Sequence, residues 1–134
     1  MLIIKPTLFG LDSSPNSLTP STSYYTQKMF AESKGTTILP VSSSTGFGPL
    51  YWVASKNDTN LHVKLANYGS SPQNVNVSIP DTSSGTMEML SGGRFQGNRP
   101  HDVKIVPRRH EVKGSSGSYL VHMPPWAVAI LAVA

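Results

Sequence analysis

With 134 residues, the chain is long enough for about one domain with one core. Only 13% of it is charged, while Ser and Thr fill 29 positions and 11 Pro and 11 Gly punctuate the rest. This profile suits an all-β domain of many short strands and excludes both a coiled coil and collagen. The net charge of +4 comes from dispersed cations, and only Arg108-Arg109-His110 forms a cluster. Nucleic-acid binding needs a concentrated basic face, so no nucleic-acid partner is expected.

In chain order, residues 1–20 read as irregular or extended, broken by Pro6, Gly10, Pro15 and Pro20. Leu2-Ile3-Ile4 has no partner strand within that segment. The next stretch predicts a helix, with Thr19 as cap and Pro20 in the first helical position, running to Glu32 and ending at Gly35. Thr22, Tyr25, Met29 and Phe30 share one of its faces. Beyond Gly35 the periodicity changes to that of strands. These are expected at Thr36–Val41, Leu50–Ser55, Leu61–Asn67, Val75–Ile79, Met87–Leu90, Tyr119–Met123 and Trp126–Val133, with weaker candidates at Val103–Val106 and His110–Lys113. Ser42–Gly48 reads as a loop. Short strands about ten residues apart, with turn signals between them, predict a β-sandwich or barrel. A helix outside this rhythm suggests a domain junction near Gly35.

Few residues point to chemistry. A glycosidase needs two carboxyl groups flanking the scissile bond, and the three Glu are spread apart. Glu32 is expected to be solvated at the helix end, Glu88 to lie on the outward face of a strand, and Glu111 to sit in a surface ion pair with its basic neighbours. Asp12, Asp58 and Asp81 stand beside turn residues, and Asp102 is expected to begin a strand. His62, His101, His110 and His122 match no metal spacing, and His62 and His122 sit at polar, solvent-facing positions. Without cysteine there is no disulfide, thiolate or Cys-based zinc site. The Ser91-Gly92-Gly93 stretch reads as a loop between strands, not a phosphate cradle. Tyr51 and Trp52 are candidates to stack on a sugar, although adjacent strand residues face opposite ways and one of the two is expected in the core. Asn57-Asp58-Thr59 and Asn76-Val77-Ser78 are N-glycosylation sequons, which hint at a secreted glycoprotein. The start, MLIIKPTLFG, has too short an apolar run for a signal peptide and is interrupted by Pro6. The apolar run from Trp126 to Ala134 falls well below the roughly 20 residues of a membrane span, so no membrane partner is expected.

Two strings are more specific. TPSTSYYTQKMFAESKGTTILPV (19–41), followed by GPLYWVASKN (48–57), resembles the end of the catalytic barrel in glycoside hydrolase family 51 α-L-arabinofuranosidases. There, a "TSYYVQKLF" helix leads into a "G-x-T-x-LPV" strand that opens a C-terminal sandwich. VPRRHEV (106–112) and MPPWAVAIL (123–131) are similar to the late "VVP" segment and terminal "LPPWSVAVL" strand of the same family, closest to fungal members. The resemblance covers residues 19–134. Before the helix, Lys5-Pro6-Thr7-Leu8-Phe9 departs from the family's aromatic-Pro-Asp-Leu-Ile-x-Phe run by losing its Asp.

The resemblance implies a jelly-roll-like β-sandwich over residues 36–134, preceded by the last barrel helix within residues 1–35. It implies a retaining parent enzyme, secreted, that removes terminal α-L-arabinofuranosyl residues from arabinan and arabinoxylan in hemicellulose degradation and L-arabinose metabolism. A barrel needs about 200–250 residues, more than this chain holds, and the two catalytic Glu of the family lie upstream of the matched region. No catalytic residue, cofactor or metal ligand is therefore assigned. The expected partner is the parent's catalytic barrel, which the sandwich supports, with no activity of its own. The alternatives are a carbohydrate-binding module for arabinose-containing polysaccharide, built around Tyr51 and Trp52, and an oligomerisation domain. In the latter, Tyr25, Met29, Phe30 and the C-terminal strand are the adhesive surfaces.

Overall fold

The computed structural model describes residues 9–11, 18–99 and 102–134. Leu2-Ile3-Ile4, Asp12 and His101 lie outside the described residues. The first described elements are a short antiparallel pair, β1 (Phe9–Leu11) and β2 (Leu18–Pro20). Thr19, the expected helix cap, belongs to β2 opposite Gly10 and is buried there, and Pro20 lies opposite Phe9. The cap is instead Ser21, whose extended backbone turns its side chain to accept from the Tyr24 N–H at 3.2 Å. That bond satisfies one of the amides a helix leaves free at its start.

Helix α1 (Thr22–Glu32) follows, with Lys28 and Glu32 paired at 2.6 Å on its exposed side. Ser33 closes it, its backbone N–H and Oγ both donating to the Met29 carbonyl. Gly35 does not end the helix. Its need for glycine comes from close approach to the neighbouring strand, where a Cβ would meet the Ser55 Cβ at 2.5 Å and the Lys56 nitrogen at 2.7 Å.

Eight strands come after the helix: β3 (Thr37–Leu39), β4 (Leu50–Lys56), β5 (Leu61–Asn67), β6 (Gln73–Ser78), β7 (Ser84–Leu90), β8 (Arg108–Lys113), β9 (Ser118–Met123) and β10 (Ala127–Val133). Six form one antiparallel sheet in the order β3-β4-β5-β10-β7-β8, and β6 pairs with β9 in a second sheet. The two sheets enclose the main core. Met87 and Ala127, Ala129, Leu131 and Val133 contribute from one side, and Tyr119, Val121 and Met123 from the other. The fold is an all-β sandwich preceded by one helix.

A second apolar cluster lies on the opposite, outer face of the six-stranded sheet. Here Met29 of α1 packs on Leu90, Ile105 and Ile130, flanked by Tyr25, Phe30 and Val128. The helix thus forms a third layer. Strand β10 is covered on both faces, which explains its near-continuous apolar sequence. Of the surfaces expected to be adhesive in an oligomerisation domain, Met29, 1% exposed, and most of β10 are buried in this packing, while Tyr25 and Phe30 are partly buried.

The weak strand expected at Val103–Val106 does not form. Asn98 substitutes for a strand partner there. Its Oδ1 accepts from the Ile105 N–H at 2.9 Å, and its Nδ2 donates to the carbonyls of Ile105 and Pro20. Asp102 likewise begins no strand; it forms a single-residue bridge with Arg99 and an ion pair with Lys104 at 3.2 Å.

Candidate functional site

A cleft forms where β9 turns into β10 across Pro124-Pro125. Asn67, at the end of β5, holds this corner: its Nδ2 donates to the carbonyls of Ser71, Met123 and Pro124, and its Oδ1 accepts from the Gly69 N–H. The next residue after the two prolines, Trp126, takes a φ of +57°. That backbone is an outlier for a bulky side chain and costs on the order of 1–3 kcal/mol.

Trp126 lies edge-to-face with Tyr68, ring centres 5.4 Å apart, and the Arg94 guanidinium stands 5.2 Å from the Trp126 ring centre. The cleft beside them encloses about 220 Å³. Thr22 and Thr26 of α1 contribute to its wall, as do Gly92, Gly93 and Gln96. Gln96 is fixed there by accepting from the Gly93 N–H through Oε1 at 2.7 Å. Sequence reasoning missed this arrangement, because Trp126 was read as the first residue of a strand and Ser91-Gly92-Gly93 as a plain loop. The available signal was the Pro-Pro-Trp string, which cannot continue a strand through two residues without amide donors.

Tyr51 and Trp52 do face opposite sides of β4. Trp52 packs partly buried against the main core, while Tyr51 is 49% exposed on the outer face. Phe47, from the preceding loop, joins them at the sheet edge. Its ring stacks on Tyr51 with centres 5.8 Å apart and lies tilted on Trp52 at 4.4 Å. The outer face beyond Tyr51 carries further exposed apolar residues, Val53 on β4 and Ile38 on β3.

A smaller cleft of about 90 Å³ opens at the other end of α1, lined by Glu32, Ser33, His62, Glu88 and Arg109 among others. His62, expected to face solvent, is buried because the C-terminal end of α1 covers that part of β5. Its Nδ1 has no hydrogen-bond partner. Burial, and secondarily the nearby Lys64 ammonium, pushes its pKa below the ordinary 6.5.

Glu88 does lie on the outward face, and its cross-strand neighbour is Arg109. Glu111, expected to pair with the basic residues around it, is exposed opposite Thr86. Among the described residues, no group of three or more His, Asp or Glu is arranged to hold a metal ion.

The two sequons differ in geometry. Asn57 builds its own turn: Oδ1 accepts from the Thr59 and Asn60 N–H groups, and Nδ2 donates to the Lys34 carbonyl. Asn76 is exposed on β6 and accepts from the Ser118 hydroxyl through Oδ1 at 2.6 Å. His122 is exposed on β9, its Nδ1 2.7 Å from the Asn74 Oδ1.

No family model matches the chain. The "Probable alpha-L-arabinofuranosidase A" of Emericella nidulans is 52% identical over 129 residues, spanning 96% of this chain and 23% of the relative. The α-L-arabinofuranosidase A of Aspergillus kawachii is 44% identical over 128 residues, spanning 95% of this chain and 20% of the relative. The chain thus spans about a fifth of the length of the curated relatives it matches. Among solved structures, an arabinose-bound family 51 α-L-arabinofuranosidase superposes with a TM-score of 0.84 at 29% identity, over 96% of this chain and 21% of the other. The thermostable family 51 enzyme of Thermotoga petrophila shares the fold, with a TM-score of 0.75 at 13% identity over 90% of this chain and 30% of the other. In sequence and in fold alike, these residues belong with the C-terminal region of fungal-type glycoside hydrolase family 51 α-L-arabinofuranosidases.

Proposed function

We propose that this chain is the supporting domain of an α-L-arabinofuranosidase, docked on a catalytic barrel and without hydrolytic activity of its own. Residues 1–35 are the tail of that barrel, with α1 as its last helix, and residues 36–134 are the sandwich. The parent's reaction is removal of terminal α-L-arabinofuranosyl residues from arabinan and arabinoxylan with retention of configuration, outside the cell. In an exported parent, exposed Asn76 is the sequon open to a glycan, whereas the Asn57 Nδ2 is engaged with the Lys34 carbonyl.

One observation carries the docking reading. The face of the six-stranded sheet that binds α1 continues beside it as an exposed apolar strip of Ile38, Val53 and Tyr51, respectively 70%, 42% and 49% exposed. A strip of this kind next to a helix already fastened to the sheet suits burial against the same body that the helix belongs to. Co-expression with the barrel region of a fungal relative tests it. The two pieces are expected to co-purify and the chain alone to leave an aryl α-L-arabinofuranoside intact. Ile38→Glu with Val53→Glu is expected to abolish association. Turnover by the chain alone that disappears on Glu88→Gln or Glu111→Gln would overturn the reading.

A second reading, a carbohydrate-binding module, is favoured by the Phe47–Tyr51–Trp52 cluster, since exposed stacked rings offer a platform for sugar faces. Affinity electrophoresis on arabinoxylan separates the two: retardation lost in Phe47→Ala supports the module.

A further inference from the structure

We propose that the Trp126 cleft binds a neutral pentose-containing oligosaccharide through one sugar ring. Three independent features converge on it. The first is the backbone of Trp126, held at a φ of +57° so that its indole lies against the cleft instead of continuing the strand. Strained residues of this kind concentrate at ligand clamps.

The second is the chemistry of the wall. The wall combines the Trp126 and Tyr68 rings and aliphatic residues such as Leu90 and Ile105 with residues that can bond to hydroxyls: Thr22, Thr26, Ser91 and Gln96. An apolar lining mixed with donors and acceptors matches a sugar ring, which has apolar C–H faces and hydroxyls around its rim. Among the described residues, no carboxylate contributes to the lining, and the one cation there, Arg94, already rests on the Trp126 ring. This favours a neutral ligand over an ionic one. The volume of about 220 Å³ is below that of a typical drug-sized pocket, roughly 300–1,000 Å³, and so suits one ring of a longer chain.

The third is position, and this step rests on the reading of α1 as a barrel helix. In a (β/α)8 barrel the catalytic face lies where strands pass into the N-terminal ends of helices. Thr22 and Thr26 belong to the N-terminal half of α1, so the cleft lies at the rim of that face. On that reading the cleft is on the side of the domain from which a glycan held by the barrel would approach. The cleft is thereby a substrate subsite contributed by the sandwich.

The test is isothermal titration and saturation-transfer NMR of this chain with L-arabinose, an α-1,5-linked arabinotriose and, as control, glucuronate. Saturable arabinotriose binding with a Kd on the order of 1 mM is expected. It should weaken at least about tenfold, roughly one RT ln 10 step, in Trp126→Gly, Arg94→Ala and Gln96→Ala, and be unchanged in Phe47→Ala. Glycine accepts the positive φ, and Arg94 and Gln96 are exposed loop residues, so a folded variant remains if one of the three is lost. Absent binding, binding that follows Phe47 instead of Trp126, or preference for glucuronate overturns the proposal. Co-purification with the barrel region is read in the same variants. Loss of association in Arg94→Ala and Gln96→Ala makes the cleft a docking surface and overturns the sugar site. Sugar binding without association of the parent chain refutes only the docking reading.

Discussion

The ammonium of Lys64 on β5 donates to the Phe30 carbonyl at 3.2 Å and stands 5.1 Å from the centre of the same residue's ring. Phe30 lies in the last turn of α1, where carbonyls have no partner within the helix and the dipole is negative. No basic residue of the helix itself occupies that turn; a strand supplies the charge instead. Lys64→Ala is expected to lower the stability of the chain by about 1–2 kcal/mol. Lys64→Arg, which keeps the charge and the stem, should lose less. Urea unfolding followed by circular dichroism measures both.

His62 makes stability depend on pH. Its folded pKa lies below the ordinary 6.5, so between the two values the unfolded chain binds more protons than the folded one. Stability from this group is fully present above 6.5 and is lost as the pH falls through the folded value. The charged groups facing it are Glu32, Glu88 and Arg109 across the small cleft and Lys64 on its own strand. Urea midpoints at about pH 7.5 and about pH 5.5 are expected to differ more for the native chain than for His62→Phe. Equal differences in the two proteins refute the assignment.

Gly35→Ala is expected to cost about 1–3 kcal/mol through overpacking against Ser55 and the β4 backbone. Because the crowding is with Ser55 as well, pairing it with Ser55→Gly should recover part of the loss. A glycine needed for a left-handed helix cap would show no such recovery, and thermal melts of the four proteins in the cycle discriminate.

Asn67 is 2% exposed, and its four hydrogen bonds end on backbone groups of two separate turns. Asn67→Ala leaves buried carbonyls without donors, at about 3 kcal/mol or more. Asn67→Asp should be no better, since it sets acceptors against three carbonyls. The expected readout is a lowered melting temperature in both, with Trp126 fluorescence moving toward that of an exposed indole before global unfolding.

The strands were readable wherever one face is buried and the other is wet, as in β6 and β9, where alternation maps directly onto burial. Helix α1 was readable for its body and misjudged at both ends. Its cap depends on which of Thr19 and Ser21 has the right backbone, and pairing of Thr19 with Gly10 decides that. His62 illustrates a further limit: a polar residue at an outward strand position reads as solvated unless another element covers it. The apolar stripe of α1 indicated that the helix packs on something, but not on which face of which sheet. The Trp126 cleft brings together residues from α1, the end of β5, the 91–96 loop and the β9–β10 corner, and no local pattern announces such a convergence.

The position of β10 governs how the domain can assemble. It is the last strand of the described chain to be synthesised, yet it sits between β5 and β7 and pairs with both along its length. Residues 61–67 and 84–90 therefore each keep one unsatisfied edge until residues 127–133 arrive. Assembly is dominated by non-local pairing, which makes for slow folding, and the half-built sheet presents two edges open to wrong partners. Among the described strands, the keystone is laid last.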